Sequence, residues 1–468
     1  MGSWSREEIL VATDGKAVEP GDAQLFGEVT TDSRRIIPGS VFVALKGERF
    51  DGHTFLRQAL GQGARCLVVQ KIPRGFCSEG ATLIRVRDTL KALGDLAHHR
   101  RKKLGPAVLA ITGSNGKTTT KEMISAILEK GTLGGKSLRG RVLKTEGNLN
   151  NLVGLPLTLL RLSKKERVAV VELGTSSPGE IGRLTEIADP DAGLITSVAP
   201  AHLAGLGSLA GVAREKGDLF RRMNRKGMAI VNLDDPWVSR LGKEFKGKKI
   251  TYGKKGQLKG EDWRSLGIRG AEFTLRVRNQ SRRIRLRLCG RHNLCNAVGA
   301  AALAHSLGID LPVIEKGLRA VKPFPMRMEL EKWKGFKIIN DTYNANPASM
   351  EAALRTLAEM PGRGNRIAVL GDMLELGKES ARRHLDLGRA VARYRIHRLF
   401  LLGREAGRVK EGAVGAGMNR DLVMIGKDHQ EIARRLKGQV KKEDWLLFKG
   451  SRGMQIEKVL AVFKILGE

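Results

Sequence analysis

The chain has 468 residues, and this length exceeds the size at which a single hydrophobic core keeps growing, so we expect about three domains. Its apolar fraction of 41% and charged fraction of 28% are ordinary for a globular protein and exclude a disordered or fibrous chain. The formal net charge of +34 is unusual, and it favours anionic partners such as nucleotides or nucleic acids.

The composition also bears on location and redox chemistry. No apolar run approaches the roughly 20 residues of a membrane-spanning helix, and the N-terminus lacks the apolar core of a secretory signal, so we expect a cytoplasmic protein. The four cysteines lack C-x-x-C spacing and have no clustered histidine partners, which argues against a zinc site and a disulfide scaffold. We therefore expect reduced thiols at Cys66, Cys77, Cys289 and Cys295.

The basic residues are dispersed in short runs, at 98–103, 164–165 and 282–287, and aromatic residues make up only 4% of the chain. Proteins that bind single-stranded nucleic acid use aromatic side chains as stacking platforms. Residues 282–288 alternate basic and apolar side chains, which is typical of a half-buried strand with a solvated basic face. A solvated surface is therefore favoured over a nucleic-acid patch.

The first block of the chain, residues 1–105, has strand-like runs at 40–45, 66–69 and 82–86. Helical stretches separate these runs, and a basic helix leads to the turn-prone pair Gly105-Pro106. We predict that this block is an α/β domain.

The second block, residues 106–322, has buried strand-like runs at 108–111, 168–171, 193–198 and 228–231. Helical segments between apolar runs are the signature of a parallel sheet covered on both faces. This pattern predicts a central α/β domain built on a parallel sheet.

The third block, residues 323–468, begins at a proline-rich turn and repeats the alternation with runs at 337–340, 366–370, 398–402, 423–425 and 445–448. This pattern predicts a smaller, Rossmann-like doubly wound domain.

A phosphate-binding loop follows the first strand of the second block and precedes an amphipathic helix over residues 117–130. Its spacing, G-x-x-G-K-T, is shorter than that of the common P-loop. Glycines let backbone N–H groups approach phosphates, and the helix N-terminus adds partial positive charge. We predict that ATP is held by Gly113, Ser114, Asn115, Gly116, Lys117, Thr118 and Thr119.

Two polar residues follow later strands of the same block. Glu172 ends an apolar strand, where an acidic side chain facing the nucleotide would hold magnesium. His202 follows the next strand and a proline turn, and taken alone a structural role is the simpler interpretation.

Longer motifs resemble those of the Mur ligases, the ATP-dependent amide-forming enzymes of peptidoglycan precursor synthesis. The first block has TDSR at 31–34, PGSVFVALKG at 38–47 and DGH at 51–53, and it is similar to the UDP-sugar domain of that family. The second block has TEGNLNN at 145–151, GLP at 154–156, ELG at 172–174, AHL at 201–203 and GRHNLCN at 290–296. The resemblance extends over nearly the whole chain.

The third block looks most like that of the family members that add D-alanyl-D-alanine to UDP-N-acetylmuramoyl-tripeptide. It has RM at 327–328, NDTYNANP at 340–347, GDMLELG at 371–377 and KGSR at 449–452, and it lacks the Asp-Asn-Pro-Arg motif of the diaminopimelate-adding relatives. One departure is Asn340, where an aspartate often stands. The resemblance implies an acyl-phosphate intermediate, release of ADP and phosphate, and a pentapeptide precursor of peptidoglycan as product.

The resemblance also implies roles for individual residues. The catalytic group would be Lys117, Lys216, His202 and Arg327. Two magnesium ions would be held by Thr118, Glu172, His202 and a carbamylated Lys216. The rest of the ATP would contact Asn293, Asn296, Arg327 and Asp341, so that ATP would lie between the second and third domains.

Substrate contacts follow from the same motifs. The sugar nucleotide would contact Ser33, Arg34, Lys46, Asp51 and His53 in the first block, with Thr145, Asn148 and Asn151 on the muramoyl side. The incoming dipeptide would contact Tyr343, Asn344, Asn346 and Ser451.

Two alternatives stay open at this point. One is another amide ligase of the same architecture, either a Mur-type enzyme with a different amino acid or a folylpolyglutamate-type enzyme. The other is a basic ATPase stimulated by nucleic acid. We expect small-molecule substrates, no nucleic acid, no membrane span and a monomer, and the third residue of the acceptor peptide stays undetermined.

Overall fold

The computed structural model describes residues 3–47 and 50–467, which form three successive α/β regions along the chain. Each region has one main sheet, and each sheet falls within one of the three predicted blocks. This confirms the predicted three-domain α/β class, while the block boundaries stay predictions.

The first region carries a five-stranded sheet in the order β2-β7-β6-β5-β4, in which only β2 is antiparallel to its neighbour. The strands of this region are β1 (Trp4–Ser5), β2 (Lys16–Glu19), β3 (Leu25–Phe26), β4 (Val29–Thr30), β5 (Val41–Val43), β6 (Cys66–Val69) and β7 (Thr82–Arg85). Of these, β1 and β3 form a separate two-stranded sheet. Its helices are α1 (Arg6–Thr13), α2 (Leu56–Gly61) and α3 (Thr89–Leu104).

The central region carries a nine-stranded sheet in the order β11-β12-β8-β13-β14-β15-β16-β17-β18. The strands of this region are β8 (Ala107–Thr112), β9 (Thr132–Leu133), β10 (Lys136–Ser137), β11 (Val142–Lys144), β12 (Val168–Glu172), β13 (Ala192–Ile195), β14 (Met228–Asn232), β15 (Lys248–Tyr252), β16 (Leu258–Ser265), β17 (Ala271–Val277) and β18 (Gln280–Leu286). Of these, β9 and β10 form a separate two-stranded sheet. Its helices are α4 (Lys117–Leu128), α5 (Gly154–Leu160), α6 (Glu180–Ala188), α7 (Leu203–Leu206), α8 (Leu209–Arg222), α9 (Pro236–Glu244), α10 (His292–His305) and α11 (Leu311–Ala320).

Alternate residues of the central strand β8 pack into separate cores on the two faces of this sheet. Val108 and Ala110 belong to one core, and Leu109 and Ile111 belong to the other. A strand buried on both faces is continuously apolar, which is why it could be predicted from sequence.

The central sheet is parallel from β11 to β16, as predicted, and antiparallel pairing of β16, β17 and β18 extends it at one edge. Two-residue and short turns join these strands, and such connections permit only antiparallel pairing. In β18, Ile284 and Leu286 are buried whereas Arg282, Arg283 and Arg285 are exposed. The predicted half-buried strand with a basic solvated face is therefore confirmed.

The third region carries a six-stranded sheet in the order β19-β20-β24-β21-β22-β23, parallel except for β19. Its strands are β19 (Glu329–Trp333), β20 (Phe336–Asp341), β21 (Arg366–Gly371), β22 (Arg398–Leu402), β23 (Val423–Gly426) and β24 (Trp445–Lys449). Its helices are α12 (Pro347–Ala358), α13 (Ser380–Arg393), α14 (Ala406–Gly415), α15 (His429–Lys437) and α16 (Glu457–Gly467). Short 3-10 helices occur at Gly52–Phe55, Gly267–Arg269, Gly377–Glu379, Arg420–Leu422 and Arg452–Met454.

All four cysteines have free thiols, as predicted. Within residues 3–47 and 50–467, no helix combines the length and apolar character that a membrane crossing needs.

Candidate active site

The candidate site lies at the carboxyl end of β8, where the strand order of the central sheet reverses. β8 pairs with β12 on one side and with β13 on the other, and the chain leaves β8 through the phosphate loop. Connections on opposite sides of a parallel strand open a crevice at its carboxyl end, and this crevice is where α/β proteins bind ligands.

The phosphate loop has two glycines in conformations that side chains rarely adopt. Gly113 has φ +144° and Gly116 has φ +81°, and Gly116 directly precedes α4. A Cβ atom at Gly113 would overlap Thr196 Oγ1, and one at Gly116 would overlap Asn296 Oδ1. The sequence therefore needs glycine at both positions to hold this loop.

The segment after β13 supports the loop from beneath. Ser114 N donates to Ser197 O at 2.8 Å, and Ser114 Oγ donates to Ala199 O at 2.9 Å. Lys117 Nζ donates to Gly113 O at 2.8 Å, so its ammonium group lies over the loop. Burial lowers the pKa of Lys117, and the opposing effect of the Glu172 carboxylate does not cancel this shift. Thr119 lies in the first turn of α4, as predicted.

Glu172 and Thr118 meet beside the loop. Thr118 Oγ1 donates to Glu172 Oε2 at 2.9 Å, and Asn150 Nδ2 donates to Glu172 Oε1 at 3.0 Å. Glu172 N donates to Thr145 Oγ1 at 3.0 Å, which fixes the end of β12. A hydroxyl and a carboxylate are the hard oxygen donors that suit Mg²⁺ together with phosphate oxygens. The described part of the chain contains no group of three His, Cys, Asp or Glu residues that could hold a metal by itself.

Lys216 is on α8 and only 2% of its surface is exposed. Burial, together with the nearby charge of Lys117, lowers its pKa to about 7, although the carboxylates of Glu215 and Glu172 oppose the shift. A neutral amine is the form that adds carbon dioxide, so this environment fits the predicted carbamate.

His202 lies in the left-handed region with φ +54°, directly before α7. Its Nδ1 is 2.6 Å from Glu375 Oε2 of the third region. Burial lowers the pKa of His202, Glu375 raises it, and Lys117 and Lys216 lower it. Lys117, Glu172, His202 and Lys216 therefore lie close enough together beside the loop for their charges to shift the pKa values of Lys117, His202 and Lys216.

The third region approaches the phosphate loop through two of its predicted residues. Asn346 Nδ2 donates to Asn115 Oδ1 at 2.8 Å. The Arg327 guanidinium lies 3.7 Å from the ring centroid of Tyr343 and is close enough to Lys117 to lower the pKa of that lysine. These contacts bring the predicted ATP groups of both regions to one crevice.

The predicted nucleotide residues lie around the same crevice. Asn296 Nδ2 donates to Asn293 Oδ1 at 3.0 Å, and both residues are on α10 beside Gly116. Asp341 is held by Lys449 Nζ at 2.5 Å, and its Oδ1 accepts from Met328 N at 3.0 Å.

The predicted sugar-nucleotide residues of the first region contact one another and their neighbours. Ser33 Oγ donates to Gln58 Oε1 at 3.1 Å, and exposed Arg34 pairs with Asp32. The backbones of Lys46 and Asp51 form an isolated antiparallel β-bridge. His53 is buried, its Nδ1 lies 2.6 Å from Asp51 Oδ1, and its Nε2 accepts from Gln70 N at 2.9 Å. Both ring nitrogens of His53 are therefore engaged within the first region, one by Asp51 and the other by the segment that follows β6.

Other predicted substrate residues also have structural partners. Asn151 Oδ1 accepts from Gly154 N at 2.8 Å and so caps α5, while Asn148 is exposed and Thr145 is buried against β12. Ser451 Oγ accepts from Leu374 N at 2.8 Å, and Asn344 Oδ1 accepts from Ala345 N at 2.9 Å. These residues stay predicted substrate contacts.

The sequence analysis assigned no role to several residues of the site. Asn150 contacts Glu172, Glu375 contacts His202 and Lys449 contacts Asp341. Thr196 lies next to Gly113, where a Cβ atom would overlap its hydroxyl. The first three stand in motifs that the sequence analysis had already singled out. Their roles depend on contacts between distant parts of the chain, so the motif strings could not reveal them.

Comparisons with known proteins agree with this geometry. Three family models match: the Mur ligase family catalytic domain at 26–101, the Mur ligase middle domain at 111–304 and the Mur ligase glutamate ligase domain at 326–452. The chain is 39% identical to the UDP-N-acetylmuramoyl-tripeptide--D-alanyl-D-alanine ligase of Escherichia coli and 37% identical to that of Bacillus subtilis, covering 92% of each chain in both cases.

Solved structures give the same result. A crystal structure of MurF from Acinetobacter baumannii matches with a TM-score of 0.91 and 32% identity over 99% of both chains. MurF of Thermotoga maritima in complex with ADP matches with a TM-score of 0.82 and 28% identity, over 94% of this chain and 97% of that one. A folylpolyglutamate synthase of Mycobacterium tuberculosis is only 16% identical, which shows a shared fold alone. The chain belongs to the Mur ligase family.

Proposed function

We propose that this protein is an ATP-dependent ligase that joins the amino group of D-alanyl-D-alanine to the free carboxylate of UDP-N-acetylmuramoyl-tripeptide. The observation that carries the proposal is the identity of 37–39% to ligases of that name over 92% of the chain, with the family's nucleotide motifs gathered at one crevice. The ADP complex of the Thermotoga relative supports adenine-nucleotide binding by this chain.

The reaction needs two steps. A carboxylate oxygen of the tripeptide attacks the γ-phosphorus of ATP, ADP leaves, and an acyl phosphate forms. The amine nitrogen of the dipeptide then attacks the acyl carbon, inorganic phosphate leaves, and the nitrogen loses a proton. Such chemistry relies on positioning and on neutralising phosphate charge rather than on a covalent group of the enzyme.

The described residues supply this positioning. Lys117 would contact the β- and γ-phosphates and Arg327 would reach the γ-phosphate from the third region. Thr118 and Glu172 would hold a first magnesium, and Glu172, His202 and carbamylated Lys216 a second, with bound magnesium supplying charge neutralisation. The third region would exclude water from the acyl phosphate, which water would otherwise hydrolyse.

A product assay tests the substrate assignment. The protein is supplied with ATP, magnesium and UDP-N-acetylmuramoyl-tripeptide ending in either lysine or diaminopimelate, and with D-alanyl-D-alanine or single amino acids. We expect a pentapeptide product by mass spectrometry only with the dipeptide. A product with a single amino acid such as lysine or diaminopimelate, and none with D-alanyl-D-alanine, would show that the protein is another Mur-type ligase.

Isotope transfer tests the intermediate. With ¹⁸O in the reacting carboxylate, an acyl phosphate delivers one labelled oxygen to the inorganic phosphate. Label in AMP would instead indicate an adenylate and would contradict the proposed chemistry.

The nucleic-acid alternative makes a separate prediction. A nucleic-acid-stimulated ATPase would show faster ATP hydrolysis with DNA or RNA and a steep dependence on salt. We expect hydrolysis to depend on both ligase substrates and to be unchanged by nucleic acid.

The state of Lys216 is tested without turnover. We expect protein equilibrated with ¹³C-bicarbonate to show a carbamate carbon signal that is lost in Lys216→Met. The absence of this signal in the wild-type protein would leave magnesium with Thr118, Glu172 and His202 alone. We further propose that the protein acts as a cytoplasmic monomer, which sedimentation and cell fractionation test.

A further inference from the structure

The contact between His202 and Glu375 joins the central region to the third region next to the phosphate loop. His202 Nδ1 and Glu375 Oε2 are 2.6 Å apart, although the two residues are 173 positions apart in the chain. A second bond joins the same segments, since Ala204 N donates to Glu375 O at 3.1 Å. The contact is therefore a two-point link and not a single flexible ion pair.

Both partners are held in a conformation that residues with side chains seldom adopt. His202 has φ +54° and Glu375 has φ +63°. Such residues persist only when their surroundings fix them, and they cluster at functional sites. Gly377 packs close to Ala204 on the same side, which holds the Glu375 loop against the turn before α7.

A carboxylate only accepts hydrogen bonds, so Nδ1 of a neutral His202 must carry the proton in this contact. The lone pair then lies on Nε2, and His202 as a whole is close enough to Lys117 and Lys216 for their charges to influence it. Carboxylates that fix the second nitrogen of a metal-binding histidine strengthen metal binding in other proteins.

We propose that Glu375 is a positioning residue, which fixes His202 with Nδ1 protonated and Nε2 free. Docking of the third region on the central region thereby sets the orientation and tautomer of His202 in the candidate site. The role of Nε2 as a magnesium ligand rests on the proposed function, but the tautomer does not. Because Glu375 comes from the third region, His202 is held only while the two regions are docked.

The metal-free test is ¹⁵N spectroscopy of histidine-labelled full-length protein, with the His202 signal identified by its loss in His202→Gln. We expect the wild-type protein to show Nδ1–H, Glu375→Ala to show a mixture of tautomers, and Glu375→Gln to keep most Nδ1–H because its amide oxygen still accepts. Unchanged His202 shifts in Glu375→Ala would overturn the proposal. These spectra need no substrate, so their outcome is independent of which amide the protein forms.

The metal test is the affinity for Mn²⁺ in the presence of ADP, measured by electron paramagnetic resonance. We expect Glu375→Ala to bind Mn²⁺ about tenfold more weakly, with Glu375→Gln in between, and to lower kcat more than it raises KM for ATP. The matched control is Glu379→Ala, because Glu379 lies four residues on and pairs with Arg383 inside the third region. An equal loss in Glu379→Ala, or wild-type Mn²⁺ affinity in Glu375→Ala, would contradict the proposal.

Discussion

At the scale of single residues, buried charge and backbone conformation decide the chemistry. Lys216 is almost wholly buried, and Lys117 lies nearby, so the charged form of its amine is disfavoured. Gly113 and Gly116 let the phosphate loop take a path that a Cβ atom would block.

Lys216 should make stability depend on pH in metal-free protein without carbon dioxide. Its pKa is lowered from 10.5 to about 7 in the folded state, so between these values the unfolded chain binds a proton that the folded chain does not. The free energy of unfolding contributed by this group therefore rises as pH increases from 7 towards 10.5 and is lowest below pH 7.

We expect Lys216→Met to lose this rise and to be the more stable protein below pH 7, as measured by urea unfolding across pH. Exposed Lys226→Met is the control and should keep the wild-type dependence. Parallel curves for the wild-type protein and Lys216→Met would contradict the assigned burial effect.

Gly113→Ala should destroy the loop. The added Cβ atom would overlap Thr196 Oγ1. Residue 113 also has φ +144°, and a side chain in a strained backbone conformation of this kind costs about 1–3 kcal/mol. We expect a matching decrease in the free energy of unfolding and an ADP affinity at least about tenfold lower by calorimetry, since that loss corresponds to about 1.4 kcal/mol. Gly407→Ala in α14 is the control, because its Cβ meets open space. ADP affinity equal to wild type in Gly113→Ala would disprove the role of the loop.

At the scale of elements, caps decide where helices begin and hold them against the sheets. Asp88 precedes α3 and its side chain accepts from Leu90 N at 2.7 Å and Lys91 N at 3.0 Å. Asp310 precedes α11, but its side chain makes no such bond. The same residue type thus has two energetic roles, which sequence alone does not distinguish.

Asp88→Ala should lower the free energy of unfolding by about 1 kcal/mol, because two backbone donors of α3 lose their acceptor. Asp310→Ala should change it by less than about 0.5 kcal/mol. Equal losses in the two variants, measured by denaturant unfolding, would show that the side-chain bonds are not responsible.

At the scale of the whole molecule, the ATP crevice belongs to two regions. Asn346 reaches Asn115 and Arg327 approaches Lys117, so a bound nucleotide should stabilise both regions together. Ligand at one hundred times its dissociation constant stabilises the state that binds it by about 2.7 kcal/mol.

The γ-phosphate should be sensed by the third region. We expect a non-hydrolysable ATP analogue to raise the melting temperature more than ADP does, and Arg327→Ala to abolish this difference while still binding ADP. Arg408→Ala, an exposed arginine paired with Glu411 in α14, should preserve the difference. If the ATP analogue still raised the melting temperature of Arg327→Ala as far above the ADP value as in the wild-type protein, another group would have to contact the γ-phosphate.

The sequence by itself determined the three α/β blocks, most of the buried parallel strands of their sheets and the phosphate loop, because these depend on local apolar runs, glycine positions and the order of elements. The resemblance supplied Glu172, His202 and Lys216 as a set. Tertiary structure decided the antiparallel edge β16–β18 and the partners Asn150, Glu375 and Lys449. It also placed the backbone N–H of Gln70 against Nε2 of His53. Such partners come together only when distant segments fold against one another, and no local pattern encodes the distance between them.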